Sequence, residues 1–200
     1  MEDILDCGFY DEHELRSFGF RSVGQNVRIA KNCTVVGRQN IAIGSQVRVD
    51  GYTTLTASGE GYIRIGSYVH IGSYCYLSGR SGIVVEDFVS LSQGVKAYSR
   101  SDDFSGQFLN GPLVPPDLTG GPAGEVAIRR HALIGSSTVI LPKVNIGEGV
   151  SVGAMSLVLE DLPPWTIQAG IPARKLRDRS RDLLELEKRV PRVDDRPNRL

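Results

Sequence analysis

Val126 to Val158 reads VAIRRHALIGSSTVILPKVNIGEGVSVGAMSLV, and six aliphatic residues recur in it at one fixed interval: Ile128, Ile134, Ile140, Ile146, Val152 and Val158. Two residues before each stands a small or β-branched partner: Val126, Ala132, Thr138, Val144, Val150 and Ser156. Glycine follows three of the six, at Gly135, Gly147 and Gly153. A period of six belongs to neither a lone strand nor a helix. It fits a solenoid whose flat faces are short strands and whose corners are tight turns. Alternate strand residues point inward, so the aliphatic residue fills the narrow core and its partner lets the wall close. The glycines are expected at corners where φ turns positive.

The same interval runs through the first half, in blocks separated by short slips. Val23, Ile29 and Val35 form one block, and Ile43, Val49 and Leu55 the next. Ile65, Ile71 and Leu77 follow, then Val85, Leu91 and Ala97. Inward partners include Val27, Cys33, Val47, Thr53, Ile63, Val69, Cys75, Ile83, Val89 and Val95. Slips such as Ala57–Gly61 read as extra residues bulging from corners.

Two hundred residues with formal net charge zero suit one domain with a sizeable core. No basic stripe argues for nucleic acid, and no charge block argues for a membrane surface. Apolar stretches are strand-sized, so a transmembrane helix is not expected. The acidic start MEDILDCGFYDEHELRSFGF lacks a signal-peptide pattern. Three cysteines, Cys7, Cys33 and Cys75, cannot all pair, and two occupy inward positions. A reduced cytoplasm is the expected compartment.

Three segments organise the chain. Residues 1–22 form an N-terminal cap, in which Asp11 and Glu14 make a capping box for a short helix to about Ser17. Leu15, Phe18 and Phe20 should fold it over the open first coil. Residues 23–165 form the solenoid, interrupted by an aperiodic excursion, 98–125, rich in Pro and Gly. A connection this long inside a compact domain is functional or disordered, and its aromatics Tyr98, Phe104 and Phe108 favour an ordered loop that packs on something. Residues 166–200 form a C-terminal segment. There RKLRDRSRDLLELEKRV reads as a helix with Leu176, Leu183, Leu184 and Val190 as its apolar stripe, and 191–200 reads as disordered.

The stretch VILPKVNIGEGVSVGAMSLVLEDLPPWTIQAGIPARKLRDR (139–179) resembles the hexapeptide-repeat acyltransferases, in particular the branch of galactoside and maltose acetyltransferases and their sugar-modifying relatives. Within that branch, GIVVEDFVSLSQGVKAY (82–98) and SRSDDFSG (99–106) resemble enzymes of surface-polysaccharide synthesis. The resemblance covers about Val23 to Arg177. It implies an all-β fold, a left-handed parallel β-helix assembled as a homotrimer, with active sites at subunit interfaces. It implies acetyl-CoA as co-substrate, while the histidine count calls for no metal. By matching motif positions, Ser136, Gly153 and Ala154 line the pantetheine arm, and Arg174, Lys175 and Arg177 meet the CoA phosphates, unless these cations form only a solvated face. Trp165 either packs near the adenine or plugs the last coil. Leu159–Glu160 replaces a basic pair frequent in the family, which removes a phosphate contact from that corner.

The galactoside branch uses a loop histidine as base. By motif position that place falls here at about Asp102, within Ser101-Asp102-Asp103. A sugar hydroxyl needs a base near neutral pH, whereas roughly a tenth of an amine with pKa near 8 is already neutral at pH 7. Two carboxylates can attract and orient an ammonium, and like-charge proximity should raise the pKa of one of them. The missing histidine therefore points to N-acetylation, and the resemblance to surface-polysaccharide enzymes implies as acceptor a nucleotide-linked deoxyaminosugar, such as dTDP-4-amino-4,6-dideoxyglucose, destined for O-antigen or a similar glycan. O-acetylation of a sugar hydroxyl is the alternative. It would use His70, which precedes inward Ile71 and so points outward. His70, Tyr76, Ser78 and Tyr98 are expected at the acceptor, with Asp102 and Asp103 closing over it. The alternative readings are an interface hydrogen-bonding group for His70 and a loop cap for the Asp pair. A metal enzyme on the same fold would need three histidine ligands, two of them close in sequence, and His13, His70 and His131 are far apart. A non-enzymatic scaffold would need neither the excursion nor the terminal AGIPARKL.

Overall fold

The computed structural model describes residues 7–190. Its chain winds through three faces of short parallel strands. The first face stacks Val27–Ala30, Val47–Val49, His70–Ile71, Ser90–Leu91, Leu133–Ile134, Ser151–Val152 and Thr166–Ala169. The second stacks Thr34–Val36, Thr54–Thr56, Tyr76–Ser78, Lys96–Tyr98, Val139–Ile140 and Leu157–Val158. The third stacks Ser22–Val23, Ile41–Ile43, Ile63–Ile65, Ile83–Val85, Val126–Ile128 and Asn145–Ile146. Every strand bonds to its counterpart one coil away, so each register position becomes a column running the length of the solenoid.

The six-residue pattern dictates this packing. Ile128, Ile134, Ile140, Ile146 and Val158 are fully buried, and so are partners Val126, Thr138 and Val150. Each large aliphatic side chain taken from water contributes about 1.5–3 kcal/mol, and every coil supplies several. Thr138 and Ser156 occupy inward positions because each hydroxyl finds the carbonyl of Gly153, at 3.1 and 2.7 Å.

The corners depart from expectation. Gly135, Gly147 and Gly153 are not among the left-handed residues. They are small because the next coil lies against them: a Cβ on Gly135 would sit 2.5 Å from the Ala154 nitrogen. Left-handed backbone falls instead on Asn26, Gln46, Tyr68, Phe88, His131, Gly149 and Trp165 before the first face, and on Tyr52, Tyr74, Gly94, Ser137 and Met155 after it. At the corner after the first face Tyr52 stacks on Tyr74 at 5.0 Å, and at the corner before it the rings form a ladder. Tyr68 stacks on Phe88 at 4.7 Å and Phe88 on His131 at 5.2 Å, while Trp165 closes the column. Ring stacking across coils offsets the left-handed strain.

The capping box is present, with the Asp11 side chain accepting from His13 and Glu14 nitrogens and Glu14 accepting from the Asp11 nitrogen. Leu15 of the helix Glu12–Ser17 is buried on the first coil, with Phe18 packed against the core. At the other end the helix expected from Arg174 onward begins instead as a strand. Arg174–Asp178 returns antiparallel on Thr166–Ala169, and only Leu183–Glu187 is helical. The edge of Thr166–Ala169 would otherwise present unpaired backbone groups, and satisfying them overrides helix propensity. Leu176 is accordingly exposed and belongs to no apolar stripe. The expectation for 191–200 lies outside the described residues.

The excursion is tied at its base, where Ser101 N–H donates to the Pro122 carbonyl at 3.0 Å and Leu109 N–H to that of Leu118. Phe108 covers Gly120. Phe104 and Leu113 are 92% and 96% exposed.

Candidate functional site

Parallel register converts the outward positions into columns. On the first face one column reads Arg28, Arg48, His70, Ser90, Leu133 and Ser151. His70 points outward as its place before Ile71 requires, and its Nε2 lies 2.8 Å from Asp50 Oδ2. Asp50 Oδ1 accepts from Arg48 Nε at 2.6 Å. Partial burial works against the Asp50 carboxylate, but the bonds from His70 and Arg48 outweigh it and hold its pKa below the ordinary value. Asp50 was not singled out in the sequence. The signal was available, because the register sets Arg48 beside His70 and brings the residue after Val49 to the same corner.

The second face carries the other acceptor candidates. Tyr76 sits between Thr54 and Lys96, and Ser78 between Thr56 and Tyr98. The Tyr76 and Tyr98 rings are 5.6 Å apart, and partial burial, with Tyr76 beside it, raises the Tyr98 pKa. The excursion leaves directly after Tyr98 and folds back over this face. Ser78, Tyr98 and Asp102 thereby share a cavity of about 490 Å³ with Arg80, Arg100 and Phe104. His70 lies around the corner on the first face and does not line that cavity.

Asp103 does not behave as expected. Its Oδ1 accepts from the Ser105 nitrogen and hydroxyl at 3.1 and 2.8 Å, and its Oδ2 from Gln107 and Phe108 nitrogens at 2.8 and 3.2 Å. These bonds, the Ser105 hydroxyl first, lower its pKa to about 2. The like-charge rise expected for one member of the pair is therefore overturned at Asp103, which organises a loop turn and is a poor proton acceptor at neutral pH.

The cofactor candidates gather at the C-terminal end. Ser136, Gly153 and Ala154 occupy the corner between first and second faces in successive coils, and Ser136 Oγ reaches Gln93 Oε1 at 3.3 Å. A Cβ on Gly153 would press on Ala169 at 2.9 Å, so packing alone accounts for that glycine. Arg174 and Lys175 border a cavity of about 190 Å³ that also contains Leu159 and Glu160. Lys175 pairs with Asp178 at 2.6 Å, while Arg177 lies opposite Ile167 on the returning strand. Trp165, 8% exposed, fills the ladder with Gly149 against one side of its ring and Arg181 within 5.2 Å of its centroid. The structure places it as a plug of the last coil. His131 is also buried in this ladder, its Nε2 2.8 Å from Glu187. Among the described residues no three His, Cys, Asp or Glu side chains cluster as metal ligands.

The chain is 39% identical over 179 residues to a dTDP-4-amino-4,6-dideoxy-D-glucose acyltransferase of Escherichia coli, covering 90% of this chain and 93% of that protein. The chain is a hexapeptide-repeat acyltransferase. As a member of this family it carries the left-handed parallel β-helix that the six-residue interval encodes. A serine-to-alanine mutant of AntD, an N-acyltransferase from Bacillus cereus, superposes with a TM-score of 0.87 at 42% identity over 91% of this chain and 96% of its own, in complex with dTDP-4-amino-4,6-dideoxyglucose and coenzyme A. Chloramphenicol acetyltransferase of Morganella morganii shares 39% identity over only 70 residues, 32% of this chain. A hexapeptide-repeat acetyltransferase from Vibrio cholerae, at 20% identity and a TM-score of 0.58, shares the fold. No family model matches the chain.

Proposed function

We propose that this acyltransferase moves an acetyl group from acetyl-CoA to the amino group of a nucleotide-linked deoxyaminosugar such as dTDP-4-amino-4,6-dideoxyglucose. The observation that carries this reading is the Asp102 carboxylate in the cavity over the second face, with no histidine beside it. End-to-end similarity to AntD supports it. So do AntD variants, substituted at one serine or at one aspartate ten residues further on, each in complex with dTDP and coenzyme A. Ser92 precedes Asp102 by the same interval, and Ser92 lies at the corner that Gly135–Ser136 continues one coil later. Ser92 thus joins Asp102 among the proposed acceptor residues.

The chemistry follows from these groups. Asp102 attracts the ammonium form of the sugar amine and orients it. The neutral fraction attacks the thioester carbonyl, a C–N bond forms, and the C–S bond breaks as the tetrahedral intermediate collapses. Coenzyme A departs as the thiolate and is protonated, while the surplus proton on nitrogen passes to Asp102 and on to water. Tyr76, Ser78 and Tyr98 shape the acceptor pocket. Ser136, Gly153 and Ala154 hold the pantetheine arm, with Arg174, Lys175 and Arg177 toward the phosphates. His70, already bound through Nε2 to Asp50, positions groups on the first face and is not the base.

The active unit is a homotrimer, and the pocket on the second face closes against a neighbouring copy. The exposed apolar side chains of the excursion, Phe104 and Leu113 above all, support this. The setting is the cytoplasm and the pathway a surface polysaccharide of the O-antigen type. One second reading concerns the acyl group, because AntD was also obtained with 3-hydroxybutyryl-CoA. Incubation with acetyl-CoA and the dTDP-linked amine tests the proposal. The acetyl group should survive mild alkali, as an amide does, whereas release in alkali would mark an ester and favour the O-acetyltransferase alternative.

A further inference from the structure

The outward column of the first face holds two adjacent arginines in direct register. Arg28 lies beside Arg48, and Arg48 beside His70. Neighbouring parallel strands are about 4.8 Å apart, so the guanidinium stems emerge side by side. Like charges set directly beside one another on a sheet are unfavourable unless something compensates them. Compensation is partial. Asp50 holds Arg48 at 2.6 Å and His70 at 2.8 Å, and one carboxylate cannot neutralise the whole set. Among the described residues Arg28 has no carboxylate partner. The Phe9 ring lies 5.1 Å from the Arg48 guanidinium carbon and restrains its direction. These side chains line an open groove of about 800 Å³ together with Asn26, Gln46 and Tyr68.

The column has an order that matters. Cations occupy its N-terminal coils, His70 the next, and Ser90 the next, with Ser92 two residues beyond. Arg48 to Ser90 spans two coil spacings, roughly 10 Å. That is about the reach of a hexose from its anomeric phosphate to a ring substituent on the far side, with room for a contact at each end. An anion of charge −2 held at Arg28 and Arg48 would therefore direct an attached sugar along the column toward the coil of Ser92.

We propose that Arg28 and Arg48 form the subsite for the diphosphate of the nucleotide sugar, Arg28 as its uncommitted cation and Arg48 held in place by Asp50 and Phe9. This rests on the acceptor being nucleotide-linked. Guanidinium groups suit it because they can fork two phosphate oxygens and bind through charge-assisted hydrogen bonds. Asp50 then has a definite role as a positioning residue, keeping Arg48 and His70 on one side of the groove.

Calorimetric titration of the wild-type protein, Arg28→Ala and Arg28→Lys with dTDP, thymidine and coenzyme A separates the claims. Loss of one charge-assisted contact should weaken dTDP binding about tenfold or more in Arg28→Ala. Arg28→Lys should recover part of that affinity, and thymidine and coenzyme A should bind the variants as they bind the wild type. The wild-type dTDP affinity should fall with salt more steeply than that of Arg28→Ala. Unchanged dTDP affinity in Arg28→Ala overturns the subsite while leaving the nucleotide-sugar reading intact. Failure of the wild-type protein to bind dTDP or any other nucleoside diphosphate overturns that reading itself. Equal losses for dTDP and thymidine would place Arg28 at the nucleoside and also contradict the assignment.

Discussion

At the scale of single residues, two neighbouring aspartates divide the labour. Asp102 lines the cavity over the second face, whereas Asp103 spends both oxygens on the turn through Ser105, Gln107 and Phe108. Asp102→Asn keeps the shape and removes the charge, so turnover should fall by about a hundredfold while coenzyme A affinity stays within about twofold. Steady-state kinetics with a separate CoA titration checks this, and undiminished turnover would remove Asp102 from the mechanism. Asp103 has a different signature. Its folded pKa of about 2 lies below the unfolded value, so it stabilises the loop fully above roughly pH 4. That contribution fades as pH falls through 2. A side-chain carboxyl titration by NMR should place its midpoint near 2, and a midpoint at or above the ordinary 3.8 would refute the turn assignment. The sequence could show that the loop carries two adjacent carboxylates and no histidine. It could not show which one is engaged, because that depends on backbone N–H groups brought round by the turn.

At the scale of elements, the legible part was the interval itself. Inward pairs such as Val89 with Leu91 and Val144 with Ile146 were readable because period two within strands and period six along the chain both leave marks in residue type. Corners were less legible. Left-handed φ fell on Tyr68, Phe88 and His131, where stacking across coils decides, while Gly135, Gly147 and Gly153 serve close approach between coils. Gly135→Ala tests this distinction. Its Cβ would meet the Ala154 nitrogen at 2.5 Å, and overpacking of this kind costs about 1–3 kcal/mol, or about 3–10 °C in melting temperature. Gly106→Ala, at a left-handed position with nothing within 4 Å, is the control. A Gly135→Ala midpoint no lower than that of the control would contradict the packing account. The strand Arg174–Asp178 was misread as helix because its Leu, Lys and Arg content favours helix locally. What decides there is the open edge of Thr166–Ala169, which lies in another part of the chain.

At the scale of the whole molecule, the acceptor candidates lie on two faces of one chain. His70 and Arg48 are on the first, and Tyr76, Ser78 and Asp102 are on or over the second. The homotrimer proposed above would bring the two faces together at a site shared between copies and would give Phe104 and Leu113 a surface to cover. Light scattering coupled to size exclusion should accordingly return three times the 21.8 kDa chain mass. A monomeric mass for fully active protein would contradict sites built at subunit interfaces. Such a division could not be read from one sequence, since register within a chain says nothing of which face meets a neighbour.

The central claim is that the acceptor is an amine on a nucleotide sugar, and free-thiol release from acetyl-CoA against a small panel tests it most directly. The panel holds dTDP-4-amino-4,6-dideoxyglucose, its 3-amino isomer, a UDP-linked 4-amino sugar and a simple galactoside. The account predicts rapid release with a nucleotide-linked amine, fastest for the dTDP-linked 4-amino sugar, and none above background with the galactoside. Release with the galactoside and none with any amine would contradict it, and would return His70 to the role of base for hydroxyl attack.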